Sequence, residues 1–302
     1  MTPTVPGVLE SPRRFCHHQF SAEALVAAKK TTTVSVCLPA RDETSTIGAI
    51  IETIKVDLVE KVHLVDEIIV VDDRSADTTA AVAAAAGATV VPVAVPAGSP
   101  SGKGAAMATA LAESRGHVAV FLDADVERFS SHFVVGLLGP LFYDYSIGFV
   151  KATYKRPLDG VHGEGGRVTE LTAKPLLALL HPALAGFTQP LAGEVAFRRP
   201  VIEGISLPSD YGVDVAVLID VARHAGLGAM AEVDLGERRH RNRPLAELAP
   251  QARSVARIIL ARAGIDTDVS TTEEETAPAS RYRTSPEHRR AGVPAMDAPE
   301  RC

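Results

Sequence analysis

"VAVFLDADVE", residues 118–127, is a strand's length of apolar residues that runs into two aspartates. In an extended chain, residues i and i+2 project to one side, so Asp123 and Asp125 share a face. With no Lys or Arg beside them, two carboxylates there repel, and a hard divalent cation relieves that conflict through carboxylate oxygens. Two solvated aspartates at a strand end, or a helix cap at the second, fit the same ten residues.

Working outward from this stretch, the chain alternates strand and helix. "TVSVCLPA" reads as a β-branched strand followed by a helix from Ser45 to about Asp57. "DEIIVVDD" is the next strand, then an alanine-rich helix, then "ATVVPVAV". A helix from Gly104 to Ser114 leads back to the opening stretch. Continuous apolar strands separated by helices predict a parallel sheet covered on both faces. In such sheets ligands sit at the carboxyl ends of the strands. The polar clusters "PARDE", "DDRSAD" and "DAD" fall at three such ends, which favours a functional reading of Asp123 and Asp125. Beyond residue 140 the pattern loosens: "SIGFVKATYKRP" predicts a strand, "GRVTELTAKPLLALL" and "YGVDVAVLIDVARHAG" helices, "GAMAEVDLGERRHRNRP" a strand entering a basic loop, and "LAELAPQARSVARIILARAG" a final helix.

The bulk properties narrow the class. The 302 residues carry a net charge of −6, which argues against a general nucleic-acid binder. Hydrophobic content of 46% supplies an ordinary core. No apolar segment reads as a signal peptide or a membrane span, because the uncharged run from Thr78 to Gly102 is broken by Gly87, Pro92 and Pro96. Three distant cysteines, Cys16, Cys37 and Cys302, suggest no disulfide framework and fit a cytoplasmic location. Residues 1–30 read as an N-terminal arm, 31–145 as a nucleotide-binding half, 146–265 as a second half, and 266–302 as a disordered tail poor in large apolar residues.

Familiar nucleotide motifs fail on detail. The turn after the first strand is "PARDETS", not G-x-G-x-x-G. "GSPSGKGA" is one residue short of a P-loop and lacks the hydroxyl residue after Lys103, though a glycine-rich loop holding a lysine at a helix start can still approach a phosphate. An aspartyl phosphatase would carry Thr or Val where Glu127 stands. "GEGGRVTEL" opens a helix with glycines, Arg167 and Thr169, which suits an anion. "GERRHRNRP" sets His240 among four arginines, where a lowered tendency to protonate suits a neutral metal ligand. Polar loops and a solvated basic run are the plain alternatives.

Together, "LPARDE", "GKG", "DAD", "GGRVTEL", "KPLL", "QPLAGE", "YGVD" and "HRNRP" resemble the nucleotide-sugar-dependent glycosyltransferases of the GT-A fold, and most closely the retaining glucosyl-3-phosphoglycerate synthases. The resemblance runs from about Val34 to Gly264. It implies an α/β fold of GT-A type, with a Rossmann-like sheet and a smaller acceptor-binding part. It implies transfer of glucose from a nucleotide-glucose, UDP-glucose in preference, to 3-phosphoglycerate, as a step of methylglucose lipopolysaccharide biosynthesis carried out by a homodimer without membrane insertion. Asp125 and His240 would hold Mg²⁺, with Mn²⁺ or Co²⁺ as substitutes. Pro39, Ala40, Arg41, Glu43, Asp73, Lys103, Asp123, Ala124, Tyr211 and Asp214 would bind the donor. Gly166, Arg167, Thr169, Asn242 and Arg243 would bind the acceptor. Asp123, Asp125, Asp214 and Leu191 would be the catalytic residues, with Leu191, Tyr211 and Asp214 surrounding the sugar. Three departures bear on the donor: Arg41 and Asp42 replace a more familiar Leu-Asn, Asp73 stands for a serine, and Asp214 for a glutamate. GDP-mannose with a mannosyl product stays open.

Overall fold

Among the described residues, eight strands form one sheet in the order β1-β8-β6-β7-β5-β2-β3-β4. They span Arg13–Cys16 (β1), Val34–Ala40 (β2), Glu67–Asp72 (β3), Thr89–Pro92 (β4), Val118–Phe121 (β5), Phe149–Lys155 (β6), Val195–Arg198 (β7) and Met230–Glu237 (β8). In this computed structural model the described residues are 11–95, 101–155, 166–238 and 245–267. The helices are Ala22–Lys29 (α1), Ile47–Ile54 (α2), Thr79–Ala86 (α3), Lys103–Glu113 (α4), His132–Tyr143 (α5), Lys174–Leu180 (α6), Arg199–Ile202 (α7), Val213–Ala225 (α8) and Leu245–Arg262 (α9).

Strand parity splits the interior into two layers. Val34, Val36 and Leu38 of β2, with Val118 and Val120 of β5 and Val150 and Ala152 of β6, face α2 and α5. Cys37, Ala119, Phe121 and Phe149, from the same strands, face the opposite way onto α4, α8 and α9. Successive side chains of a strand point to opposite faces, so both faces need cover and the strands read as continuous apolar runs. Burial pushes the Cys37 thiol up to about 12.

Four elements differ from the sequence-based expectation. Residues 11–30, read as an arm, supply β1, which pairs in parallel with β8, and α1, where the Ser21 side chain accepts a hydrogen bond from the Ala24 amide. α5 was not expected: "HFVVGLLGPLFY" is apolar on all sides and contains Pro140, so it shows no helical stripe, and Phe133 to Leu141 are buried throughout. β7 was not expected either, and among the described strands it alone breaks the parallel arrangement, running antiparallel to both β5 and β6. Helices from 31–145 and 146–265 cover the same sheet, and both core layers draw on both segments. Among the described residues no helix is long and apolar enough to cross a membrane.

The reversal of β7 positions the site. Seven strands send their carboxyl ends to one edge of the sheet, and β7 begins there instead. The segment leading into β7, residues 189–194, therefore meets the ends of β5, β6 and β8.

Candidate active site

At that edge the turns after β2 and β3 interlock. The Asp73 amide donates to Ala40 O (2.8 Å), the Ala76 amide to Asp42 Oδ1 (2.7 Å) and the Glu43 amide to Thr79 Oγ1 (2.8 Å). Asp42 takes a positive φ of 57° at this junction. The turn after β5 is tied to the same group through Thr46 Oγ1, which donates to Ala124 O at 2.6 Å. Lys103 stands at the first turn of α4, brought close to the loop before α8 by the Ala105 amide, which donates to Ser209 O at 3.2 Å. That approach requires Gly104, because a Cβ there would collide with the Pro208 carbonyl.

Two cations organise the acidic strand ends. Lys103 Nζ donates to Asp123 Oδ1 at 2.8 Å and to Asp214 Oδ2 at 3.0 Å. Burial works against the Lys103 charge, but Asp123 and Asp214 outweigh it and raise its pKa, so it stays an ammonium. Burial raises the pKa of Asp214, and Lys103 and Lys151 oppose that rise. Arg238, immediately after β8 and 2% exposed, reaches Asp123 Oδ2 at 2.8 Å and Asp125 Oδ1 at 2.7 Å. Its Nε lies 2.7 Å from Glu194 Oε1, and Glu194 Oε2 accepts from the Tyr154 hydroxyl at 2.7 Å. Desolvation disfavours the charge on Arg238, yet Glu194, Tyr154, Asp123 and Asp125 hold its pKa above the usual guanidinium range.

Lys103, Asp123, Asp125, Asp214 and Arg238 line a cavity of about 430 Å³. Every expected site residue within the described part of the chain is on its wall. Pro39 and Ala40 come from the end of β2, Arg41, Glu43 and Asp73 from the turns after β2 and β3, Lys103 from α4, and Asp123, Ala124 and Asp125 from the turn after β5. Leu191, Tyr211 and Asp214 close one side, and Gly166, Arg167 and Thr169 another. Gly166 adopts a φ of 80° that favours glycine, and Thr169 is 6% exposed. His240, Asn242 and Arg243 lie outside the described residues. Reading the sequence alone did not assign Asp42, Ala106, Val168, Arg238, Leu248 and Gln251 to the lining, nor Glu194 and Tyr154 behind it.

The cavity suits a divalent cation. Asp125 presents a carboxylate one-third exposed, with only its Oδ1 bonded to Arg238. Among the described residues no three His, Cys, Asp or Glu side chains converge on one point. That pattern fits Mg²⁺ or a similar hard cation, which takes one or two carboxylates and fills its remaining positions with water and substrate phosphate oxygens.

Comparison with known proteins gives the family of the chain. The family description "Glycosyl transferase family 2" matches residues 35–141. A glucosyl-3-phosphoglycerate synthase from Mycolicibacterium paratuberculosis is 45% identical over 261 residues, covering 82% of this chain and 78% of that protein. This chain belongs to the glucosyl-3-phosphoglycerate synthases. Crystal structures of the synthase from Mycobacterium tuberculosis are similar across most of the chain. One, in complex with Mn²⁺, UDP-glucose and phosphoglyceric acid, has 40% identity and a TM-score of 0.78, covering 85% of this chain and 89% of that one. Another, with Mg²⁺ and UDP, has 40% identity and a TM-score of 0.77, covering 85% and 88%. The synthase described here is a metal-dependent glycosyltransferase of the GT-A fold with a divalent cofactor.

Proposed function

We propose that the enzyme transfers glucose from UDP-glucose to 3-phosphoglycerate with retention of the anomeric configuration. The observation that carries this reading is one cavity in which Lys103, Asp123, Asp125 and Asp214 stand with the Gly166–Thr169 helix start. Both substrates are anionic, and the protein is acidic overall, so positive charge has to be concentrated locally. Lys103 and Arg41 supply it on the donor side. Pro39, Ala40, Glu43 and Asp73 form the nucleotide wall, and Asp123 with Ala124 approaches the ribose and the sugar. Asp125, with His240, is the place for Mg²⁺ or Mn²⁺, which when bound supplies positive charge to the diphosphate leaving group.

On the acceptor side, backbone amides at Gly166, the Arg167 guanidinium and the Thr169 hydroxyl hold phosphate or carboxylate, aided by Asn242 and Arg243. The acceptor has a single free hydroxyl. Its oxygen forms the new bond to the sugar's anomeric carbon while the bond from that carbon to the diphosphate oxygen breaks, and the proton passes to the departing diphosphate on the same face. Leu191, Tyr211 and Asp214 surround the sugar. We assign the reaction to the cytoplasm and the enzyme to a homodimer on the strength of the family resemblance, and light scattering checks the assembly.

A panel of nucleotide sugars against 3-phosphoglycerate, read by released nucleotide, tests the proposal. UDP-glucose is expected to give the highest kcat/KM, and an α-linked product by NMR is expected from the α-linked donor. Equal or better use of GDP-mannose overturns the glucosyl assignment, and a β-linked product overturns retention.

A further inference from the structure

Lys151 lies in the middle of β6 among apolar neighbours and is fully buried. It points to the face covered by α4 and α8. Its ammonium donates to Ala192 O at 2.8 Å, its one hydrogen-bond acceptor among the described residues. Four charged groups surround it: Asp214 from α8, Lys103 from α4, Glu194 at the start of β7 and Asp123 after β5. A methionine of similar length would fill this place without the cost of burying a charge, so core filling alone does not account for a lysine.

The segment it holds is anchored at one end by Glu194, whose carbonyl accepts from the Ala152 amide at 3.0 Å and whose side chain meets Arg238 and Tyr154. Residues 189–194 form no regular structure, and the Ala192 amide turns back to Gln189 O at 3.0 Å. The Gln189 side chain bonds Tyr154 O. Gly193 lies so near the Lys103–Asp123 pair that a Cβ would collide with both, so any shift of this turn reaches the charges at the donor. Leu191 is on the cavity wall.

We infer that Lys151 is a positioning residue, whose buried ammonium pins the Leu191–Gly193 turn through the Ala192 carbonyl and so fixes the wall that meets the transferred sugar. The inference rests on the cavity being the transfer site. Burial lowers the Lys151 pKa to about 8, so the charge is present below that pH and fades as pH rises through it.

Two experiments on the full-length protein separate this inference from the reaction assignment. The first needs no substrate: backbone hydrogen exchange of the 189–194 segment in wild type and Lys151→Met. Faster exchange confined to this segment is expected in the variant, and unchanged exchange overturns the inference. Should Lys151→Met not fold, exchange of the same segment in wild type, corrected for the intrinsic pH dependence, is expected to accelerate through about pH 8. A flat profile there overturns the inference. The second is steady-state kinetics with the best donor of the panel. Losing one charge-assisted hydrogen bond is expected to lower kcat roughly ten- to a hundredfold, with both KM values and UDP affinity within about twofold. Wild-type kcat is expected to decline above about pH 8, and the variant to lack that decline. Unchanged kcat, a loss shared with UDP affinity, or the same alkaline decline in both proteins overturns the inference.

Discussion

The floor and the rim of the cavity handle charge in opposite ways. On the floor, Arg238 and Glu194 are almost or wholly shut from water, at 2% and 0% side-chain exposure, and stand as an ion pair, with Glu194 accepting from Tyr154 and Arg238 donating to the strand-end aspartates. At the rim, Arg41 is 57% exposed and stands 4.0 Å from Asp73, a contact that water and salt screen. The floor is set before any ligand arrives, because removing one partner strands a buried charge. The rim has charges that a ligand can recruit at small cost. Of the departures from the pattern the sequence resembles, Arg41 and Asp42 lie on exposed turns, whereas Asp73 and Asp214 are buried or nearly so, and Asp214 is bonded to Lys103.

Breaking the floor should give the largest effect. Glu194→Ala leaves the Arg238 guanidinium buried beside a void, and a loss of about 3–5 kcal/mol in unfolding free energy is expected in urea titrations. Loss below about 1 kcal/mol would place Arg238 among ordinary surface pairs. Asp125→Ala is expected to leave the fold standing, because Arg238 keeps Asp123 and Glu194, while removing about 4 kcal/mol of transition-state stabilisation, roughly a thousandfold in kcat/KM. EDTA should reproduce that loss in wild type, and turnover that survives EDTA refutes the assignment. Arg167→Ala sharpens the comparison at the acceptor side: a rise in KM for 3-phosphoglycerate of roughly ten- to a hundredfold is expected, from a contact of about 1.5–3 kcal/mol, with UDP affinity unchanged. The smallest effect is expected for Arg41→Ala at the rim. Its pairing with Asp73 is worth about 1 kcal/mol or less, and the thermal midpoint should stay within a degree or two.

The donor half was legible because its chemistry sits where the physics of parallel sheets puts it. Asp73, Asp123 and Asp125 each follow an apolar strand, and Lys103 opens a helix, so strand-end reasoning reached them without coordinates. Glu194 and Lys151 escaped it for a topological reason. Glu194 stands at the beginning of β7, and only the reversal of that strand carries it to the catalytic edge. Lys151 is a charged residue flanked by Val150 and Ala152 in a buried strand, a local conflict visible in the sequence, but its purpose depends on a turn forty residues away. Arg238 was read as part of a basic run around His240, and a run of arginines does not reveal which one is drawn inside. Pro140 hid α5 by interrupting a segment with no polar face to betray its period.

The pairing of β1 with β8 sets a schedule on the ribosome. Arg13 stands in register with Ala231, and Cys16 with Asp234. At roughly 5–20 residues per second, β1 leaves the synthetic machinery about ten to forty seconds before its partner exists. The strands from β2 to β5 can associate earlier, since their connections are short. β1, among the first strands made, is then among the last to dock, and closing a loop that spans most of the chain is the slow kind of step that limits folding rate. Until it docks, β8 presents an unpaired edge during biosynthesis, which is the stage at which the nascent enzyme is most exposed to aggregation.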